Sequence, residues 1–165
     1  MSNKARNFFK EEVKFVGVFN YSDFFSLLYN FVTANGYTLM DDSHAQKEGD
    51  TGTEVEVMWK FERRIDDYTK FHIVIYYLIK DMKDVIIKKP SGEVKTNEGN
   101  CYIRINGIIE TDWQNRWELT KWIITMRDFY ERYLLKPVID DYIVKVSMMV
   151  GSVAGELKTF FNMVH

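Results

Sequence analysis

The sequence predicts an α+β domain with a mainly antiparallel sheet of about six strands, one N-terminal helix and two C-terminal helices. Three observations lead there. Apolar and polar residues alternate over 10–19 and again in several runs between 37 and 110, the period of half-buried strands. Between the first run and the rest lies one stretch, from Phe24 to Phe31, with helical spacing. From Asn115 to His165 the spacing is three to four throughout, interrupted at Pro137.

Taken in order, Lys10 to Phe19 sets Val13, Phe15, Gly17 and Phe19 on one face and Lys14, Val16 and Val18 on the other. Asn20-Tyr21-Ser22-Asp23 then supplies capping side chains ahead of Phe24, Leu27, Leu28 and Phe31, a helix ending near Asn35-Gly36. A strand follows near 37–47, with a glycine-containing turn after it. Glu54 to Arg64 alternates most clearly, with Val55, Val57, Trp59 and Phe61 inward. Asp66-Asp67 turns the chain into a strand over Tyr68 to Lys80, whose inward row is Phe71, Ile73, Ile75, Tyr77 and Ile79. Its opposite row, Val74, Tyr76 and Leu78, is apolar too. That predicts cover on both faces, helices on one and a partner, ligand or loop on the other. Asp81-Met82-Lys83 connects to a short strand over Asp84 to Lys89. Pro90-Ser91-Gly92 and Asn97 to Asn100 read as a polar loop, and Cys101 to Glu110 as the last strand, with Ile103, Ile105 and Ile109 inward.

Residues 10–114 thus form a strand, helix and sheet region and 115–165 a helical region of one domain spanning 1–165. In the first C-terminal helix, capped by Asp112 or Asn115, the residues Leu119, Trp122, Ile123, Met126, Phe129, Tyr130, Tyr133 and Leu134 share a broad apolar face. Pro137 ends that helix and suits the first turn of the next. In the second, Val138, Tyr142, Val146, Met149, Val153, Leu157, Phe160 and Val164 form one stripe, widened by Ile139, Ile143, Val150, Ala154 and Phe161. A helix from Pro137 to Met163 spans about 40 Å and a ten-residue strand about 33 Å, so the helix end is expected to overhang and expose large side chains. Gly151 and Gly155 are spaced to admit a second helix closely. Met149, Gly151, Val153, Gly155, Leu157, Phe160, Phe161 and Val164 are therefore candidate residues of a homo-oligomer interface. The competing expectation is that the first C-terminal helix folds back and covers the stripe within one chain.

Composition narrows the function classes. With 22 basic and 24 acidic residues the net charge is −2 and no basic stripe stands out, which disfavours nucleic acid as a partner. A single cysteine, Cys101, excludes an internal disulfide and a cysteine-rich zinc site. No run of about eighteen apolar residues offers a transmembrane segment, and no signal peptide is apparent; the expected location is the cytoplasm. The aromatic share of 16% points to a large apolar core or an aromatic-lined cavity.

The order strand, helix, antiparallel sheet, long C-terminal helix over residues 10–134 resembles the helix-grip architecture of START-like carriers of lipids and hydrophobic ligands. The resemblance implies a small apolar ligand held between sheet and C-terminal helix. The chain departs from it in having one helix after the first strand and a second long helix at its end. The phrases Trp59-Lys60-Phe61-Glu62-Arg63-Arg64-Ile65-Asp66-Asp67-Tyr68 and Asn115-Arg116-Trp117-Glu118 also resemble those of small uncharacterised archaeal proteins, a resemblance that implies no activity.

Few residues invite chemistry. His72, Val74, Tyr76, Leu78, Tyr102 and Arg104 share the second face of the sheet, where His72 and Arg104 would orient an acidic head group if that face lined a cavity. A satisfied structural pair is the simpler expectation. Asp41, Asp42, His44 and Glu48 are close in sequence but match no metal-loop spacing, so no metal and no cofactor is expected. Cys101 lacks a basic neighbour that would activate a thiolate. Ile-Asp-Asp-Tyr occurs twice, at 65–68 and 139–142, once in a hairpin and once on a helix, and chance accounts for it. Without a phosphate loop, metal spacing or nucleophile-base motif, an enzyme ranks last. A non-enzymatic interaction or self-associating module ranks first, and a carrier of a small apolar ligand second.

Overall fold

The computed structural model describes residues 4–116 and 120–163. Leu119 and Val164, named above for the two apolar stripes, and Trp117-Glu118 of the second phrase lie outside the described residues. The chain runs β1 (Lys4–Phe19), α1 (Tyr21–Ala34), β2 (Thr38–Gly49), β3 (Gly52–Arg64), β4 (Thr69–Lys89), β5 (Gly92–Thr111), α2 (Lys121–Phe129), a π-helical turn (Tyr130–Leu134) and α3 (Lys136–Met163). All strand pairs are antiparallel, in the order β1-β5-β4-β3-β2. The α+β class with one N-terminal and two C-terminal helices is as the sequence predicts; the described strands number five, not six.

The missing sixth strand has a local cause. Asp81 takes a left-handed conformation (φ 54°) and the register against β5 shifts between Lys80 and Lys83, so the chain bulges where the sequence predicts a break. Gly52 makes room for the bulge, because a Cβ there would sit 2.7 Å from the Asp81 carbonyl carbon. β4 therefore continues through residues 84–89 in the same strand, paired with the start of β5. Asn97 to Asn100 is likewise strand and not loop, pairing with β1. Its polar residues cap and bridge: Asn97 Oδ1 accepts the Tyr21 N–H at 3.1 Å, and its amide donates to Asp84 at 2.8 Å.

The inward rows are those predicted. Val55, Val57, Trp59 and Phe61 on β3, Phe71, Ile73, Ile75, Tyr77 and Ile79 on β4, and Ile103, Ile105 and Ile109 on β5 are all buried. α1 starts at Asn20, whose side chain accepts the Asp23 N–H at 3.0 Å, and it buries Phe24, Leu28 and Val32. α3 crosses β1 and β5 and touches α1. It lies close to the sheet because β5 has Gly107 beneath it, where a Cβ would fall 2.5 Å from Val146 Cγ1 and 2.8 Å from Val150 Cγ2. Both valines are buried and stiff at χ1, so only glycine fits without lifting the helix.

Two expectations about α3 are corrected. Met149, Val153, Leu157 and Phe161 are buried in the chain's own core, and Phe160 packs at 6.3 Å from Phe24. Neither a second chain nor α2 is needed to cover them: the sheet and α1 do so. The overhang is at the other end of the helix. Burial begins at Val146, whereas Val138 and Val144 are exposed and Ile139, Tyr142 and Ile143 half-buried. Gly151 and Gly155 face open space on the outside of α3.

The outer face of the sheet carries the second row. Val74, Tyr76, Leu78, Tyr102 and Arg104 are half-buried by one another, and exposed Lys14, Met58 and Lys60 flank them. Tyr76, Tyr102 and Arg104 in it build a polar ladder across strands. Tyr102 and Tyr76 donate to Glu12 and Glu56, each at 2.9 Å, and Arg104 donates to the Tyr102 hydroxyl at 2.9 Å and 3.2 Å. Lys10, and after it Tyr102, hold the Glu12 carboxyl below its usual range.

Candidate functional site

The β3–β4 hairpin, α2, the π turn and the overhanging start of α3 line an open cleft of about 790 Å³. Its polar rim comes from Asp66, Asp67 and Arg116. Its walls come from Tyr68, Ile123, Tyr130, Leu135, Val138, Ile139 and Tyr142. A volume of this size with mainly apolar walls and few polar groups has the character of a small-molecule site.

Each wall is held by a specific device. Asp66 Oδ1 accepts the N–H groups of Tyr68 (2.8 Å) and Thr69 (2.6 Å), closing the hairpin turn, while its Oδ2 accepts the Tyr142 hydroxyl at 2.9 Å. The Trp113 indole donates to the Asp66 carbonyl at 3.1 Å. The two Ile-Asp-Asp-Tyr copies, attributed to chance above, thus meet across the cleft: Asp66 of the first holds Tyr142 of the second. Tyr142 also packs edge-on to Phe71 at 5.3 Å, which fixes α3 over the sheet end.

The opposite wall is anchored by a buried polar cluster. Asp112 and Asn115 adopt left-handed backbone (φ 54° and 53°), a conformation these residue types tolerate, and turn the chain off β5. Asp112 Oδ1 accepts the Arg116 N–H at 2.9 Å, and Asp112 Oδ2 lies 3.6 Å from Arg127 Nη1 of α2. One turn on, Glu131 accepts hydrogen bonds from Tyr68 at 2.5 Å and Thr111 at 3.1 Å. Burial first, then the bond to Glu131, pushes the Tyr68 hydroxyl far above its ordinary value. Residues 127 and 131 are four apart and share one helix face, so α2 and the π turn dock through charged residues. Leu135 N–H closes the turn on the Tyr130 carbonyl at 3.0 Å, an i→i+5 bond.

This turns most of the expected face of the first C-terminal helix outward, while Ile123 and Tyr130 of that face line the cleft. Trp122, Met126, Phe129, Tyr133 and Leu134 are exposed, while Arg127 and Glu131 are buried. The helix itself is shorter than predicted, and Asp112 bonds backbone in the preceding turn instead of capping α2, whose N-cap is Thr120.

The other sequence candidates fall elsewhere. None of His72, Val74, Tyr76, Leu78, Tyr102 and Arg104 lines the cleft. His72 is buried at the hairpin end of the outer face, with Nε2 at 2.6 Å from Glu110 and Nδ1 at 3.8 Å from Glu62. It lies four positions along the extended strand from Tyr76, the cross-strand partner of Arg104, so His72 and Arg104 do not act together. Pairing along β2 puts Asp41 on the face opposite Asp42, His44 and Glu48, and Asp42 accepts the Trp59 indole N–H at 3.0 Å. Among the described residues no group of three or more His, Cys, Asp or Glu is placed to hold a metal. The residues that sequence reasoning missed are Tyr68, Asp112, Arg116, Arg127 and Glu131. The one signal pointing towards them is that Arg127 and Glu131, an i, i+4 pair, share a helix face opposite Trp122, Phe129 and Tyr133, though Asp128 and Arg132 have the same spacing.

Ionisation of the core is one-sided. Burial pushes the Cys101 thiol from 9.0 up to about 12, and burial likewise pushes Tyr37 from 10.0 to about 12. Tyr142 also rises to about 12, through burial first and its bond to Asp66 second. In each case the unfolded chain releases its proton first, so this stabilisation is intact below about pH 9 and is lost as pH rises towards 12. Melting temperature is expected to fall steadily between those values. Iodoacetamide should label Cys101 slowly at pH 9 in the native protein and rapidly in denaturant; equal rates would contradict the burial.

Fold and site together define an α+β protein with helices on one face of an open antiparallel sheet and a solvent-open cleft at one end. No helix among the described residues is long and apolar enough to cross a membrane. No family model and no curated protein matches the chain.

Proposed function

We propose that the protein is a non-enzymatic binding module that holds a small, largely apolar molecule in the cleft between the β3–β4 hairpin and the C-terminal helices. The observation that carries this reading is the cleft itself: about 790 Å³ walled by Ile123, Tyr130, Leu135, Val138, Ile139 and Tyr142. The site differs from that implied by the resemblance, because Phe15, Phe19, Phe24, Tyr77 and Phe161 fill the space between sheet and helix with ring against ring. Arg116 at the rim suits a ligand with an anionic or carbonyl end.

Native mass spectrometry of freshly purified protein tests this. The expected spectrum shows the 19.7 kDa chain carrying an added small mass. The adduct should vanish in Val138→Trp, which fills the cleft from an exposed position and leaves the core intact. An unliganded spectrum, together with no uptake of a naphthalene sulfonate probe, would remove the carrier reading.

A further inference from the structure

The outward side of α2 and the π turn has no role in the cleft, and it is the most apolar exposed surface of any described helix. Trp122, Met126, Phe129 and Tyr133 recur at steps of four, three and four, so they project on one side, and they are 70%, 44%, 56% and 64% exposed. Leu134 adds a fifth exposed apolar side chain beside them, and the rings of Phe129 and Tyr133 lie 4.8 Å apart. Ordinary surface helices show water the opposite face. Here Arg127 and Glu131 are turned inward to the sheet end, which leaves the apolar stripe outward by construction.

We propose that this stripe docks the protein on an anionic lipid surface. The charges around it favour that occupant. Lys121 precedes the stripe, Arg132 lies within it and Lys136 follows it, all three exposed. The carboxylates of the same segment are Asp128, half-buried, and Glu131, buried. An outward positive rim on a chain of net charge −2 is a local feature, and it complements phosphate head groups. Trp and Tyr settle at the boundary of head group and acyl chain, Phe, Met and Leu insert below them, and long basic side chains reach back to the phosphates. A second copy fits less well. A two-fold interface through this patch sets the same three cations of each chain beside those of the other. This attachment stands on the outward face alone and does not depend on the cleft being occupied.

Vesicle flotation tests it, with phosphatidylcholine vesicles compared with vesicles of phosphatidylcholine and phosphatidylserine. The full chain should float with the anionic vesicles, float weakly with the neutral ones, and be released by salt. Each cation near such a surface contributes about fivefold in partitioning, so the triple variant Lys121→Gln, Arg132→Gln, Lys136→Gln should lose roughly a hundredfold. Trp122→Ser with Phe129→Ser should abolish flotation while leaving the melting temperature unchanged, because both side chains are exposed. No flotation with anionic vesicles, or flotation indifferent to charge or to these variants, overturns the proposal. So does light scattering that shows a dimer lost on Trp122→Ser, which assigns the stripe to a second copy.

Discussion

Arg127→Met is expected to lower the stability of the folded chain by about 3–5 kcal/mol. The side chains of Arg127 and Asp112 are 5% and 2% exposed, and Glu131 is buried one turn beyond. Methionine fills much of the same space, so the loss comes from charge: the carboxylate of Asp112 stays in a low-dielectric site without the cation opposite it. A buried ion pair is not in itself a large stabiliser, since desolvation offsets most of its Coulomb energy; breaking one half is what costs. The double variant Arg127→Met, Asp112→Asn should therefore recover a substantial part of the loss. Asparagine tolerates the left-handed backbone at 112 and can still accept the Arg116 N–H. Urea denaturation of the two variants decides the matter. A single variant within 1 kcal/mol of the parent, or a double variant worse than the single, means that the pair is not what anchors α2.

Phe24→Ala should cost a similar amount, about 3–5 kcal/mol, for a different reason. Phe24 is fully buried at the junction of β4, β1, α1 and α3. Its ring meets Tyr77 edge-on at 5.1 Å, stacks on Phe161 at 5.9 Å, and lies 6.1 Å from Phe19 and 6.3 Å from Phe160. Removing it leaves a cavity that no single neighbour can fill, because those rings are fixed by further contacts such as Phe15 against Phe161 at 4.3 Å. For a chain of this size the melting temperature should drop by about 6–20 °C. Phe25→Ala is the control. That side chain is 37% exposed and meets the core at its margin, through Trp59 at 4.8 Å and Tyr21 at 6.4 Å, so its loss should be well under half as large. Equal losses would mean that the aromatic cluster does not bear the weight assigned to it.

The cleft was far less legible in the sequence than the sheet. The spacing marks its wall residues Ile139 and Tyr142 as apolar helix positions, but nothing local indicates that they overhang the sheet. The repeat of Ile-Asp-Asp-Tyr at 65–68 and 139–142 was visible, and only the fold shows that Asp66 and Tyr142 meet at 2.9 Å. The apolar row Val74, Tyr76 and Leu78 invited a ligand, yet its Tyr76 belongs to a ladder with Glu56, Glu12 and Arg104 whose members come from three other segments. Hydrophobicity by itself does not tell a covered face from one shielded by its own polar neighbours.

What the sequence determined by itself is what depends on neighbours a few residues apart. Strand faces follow from a period of two, the start of α1 from the Asn20 cap, and the end of the π turn from Pro137, which sits in the first turn of α3. Tertiary structure alone decided the rest: the bulge at Asp81 that merges two predicted strands, the direction of the overhang, and the outward turn of most of the apolar face of α2. In that helix the apolar residues outnumber the charged ones, and periodicity assigns the larger set to the core. The buried cluster of Asp112, Glu131, Tyr68 and Thr111 reverses the assignment. A cation and carboxylates removed from water need partners, and those partners lie at the sheet end, 15 to 63 residues away in sequence.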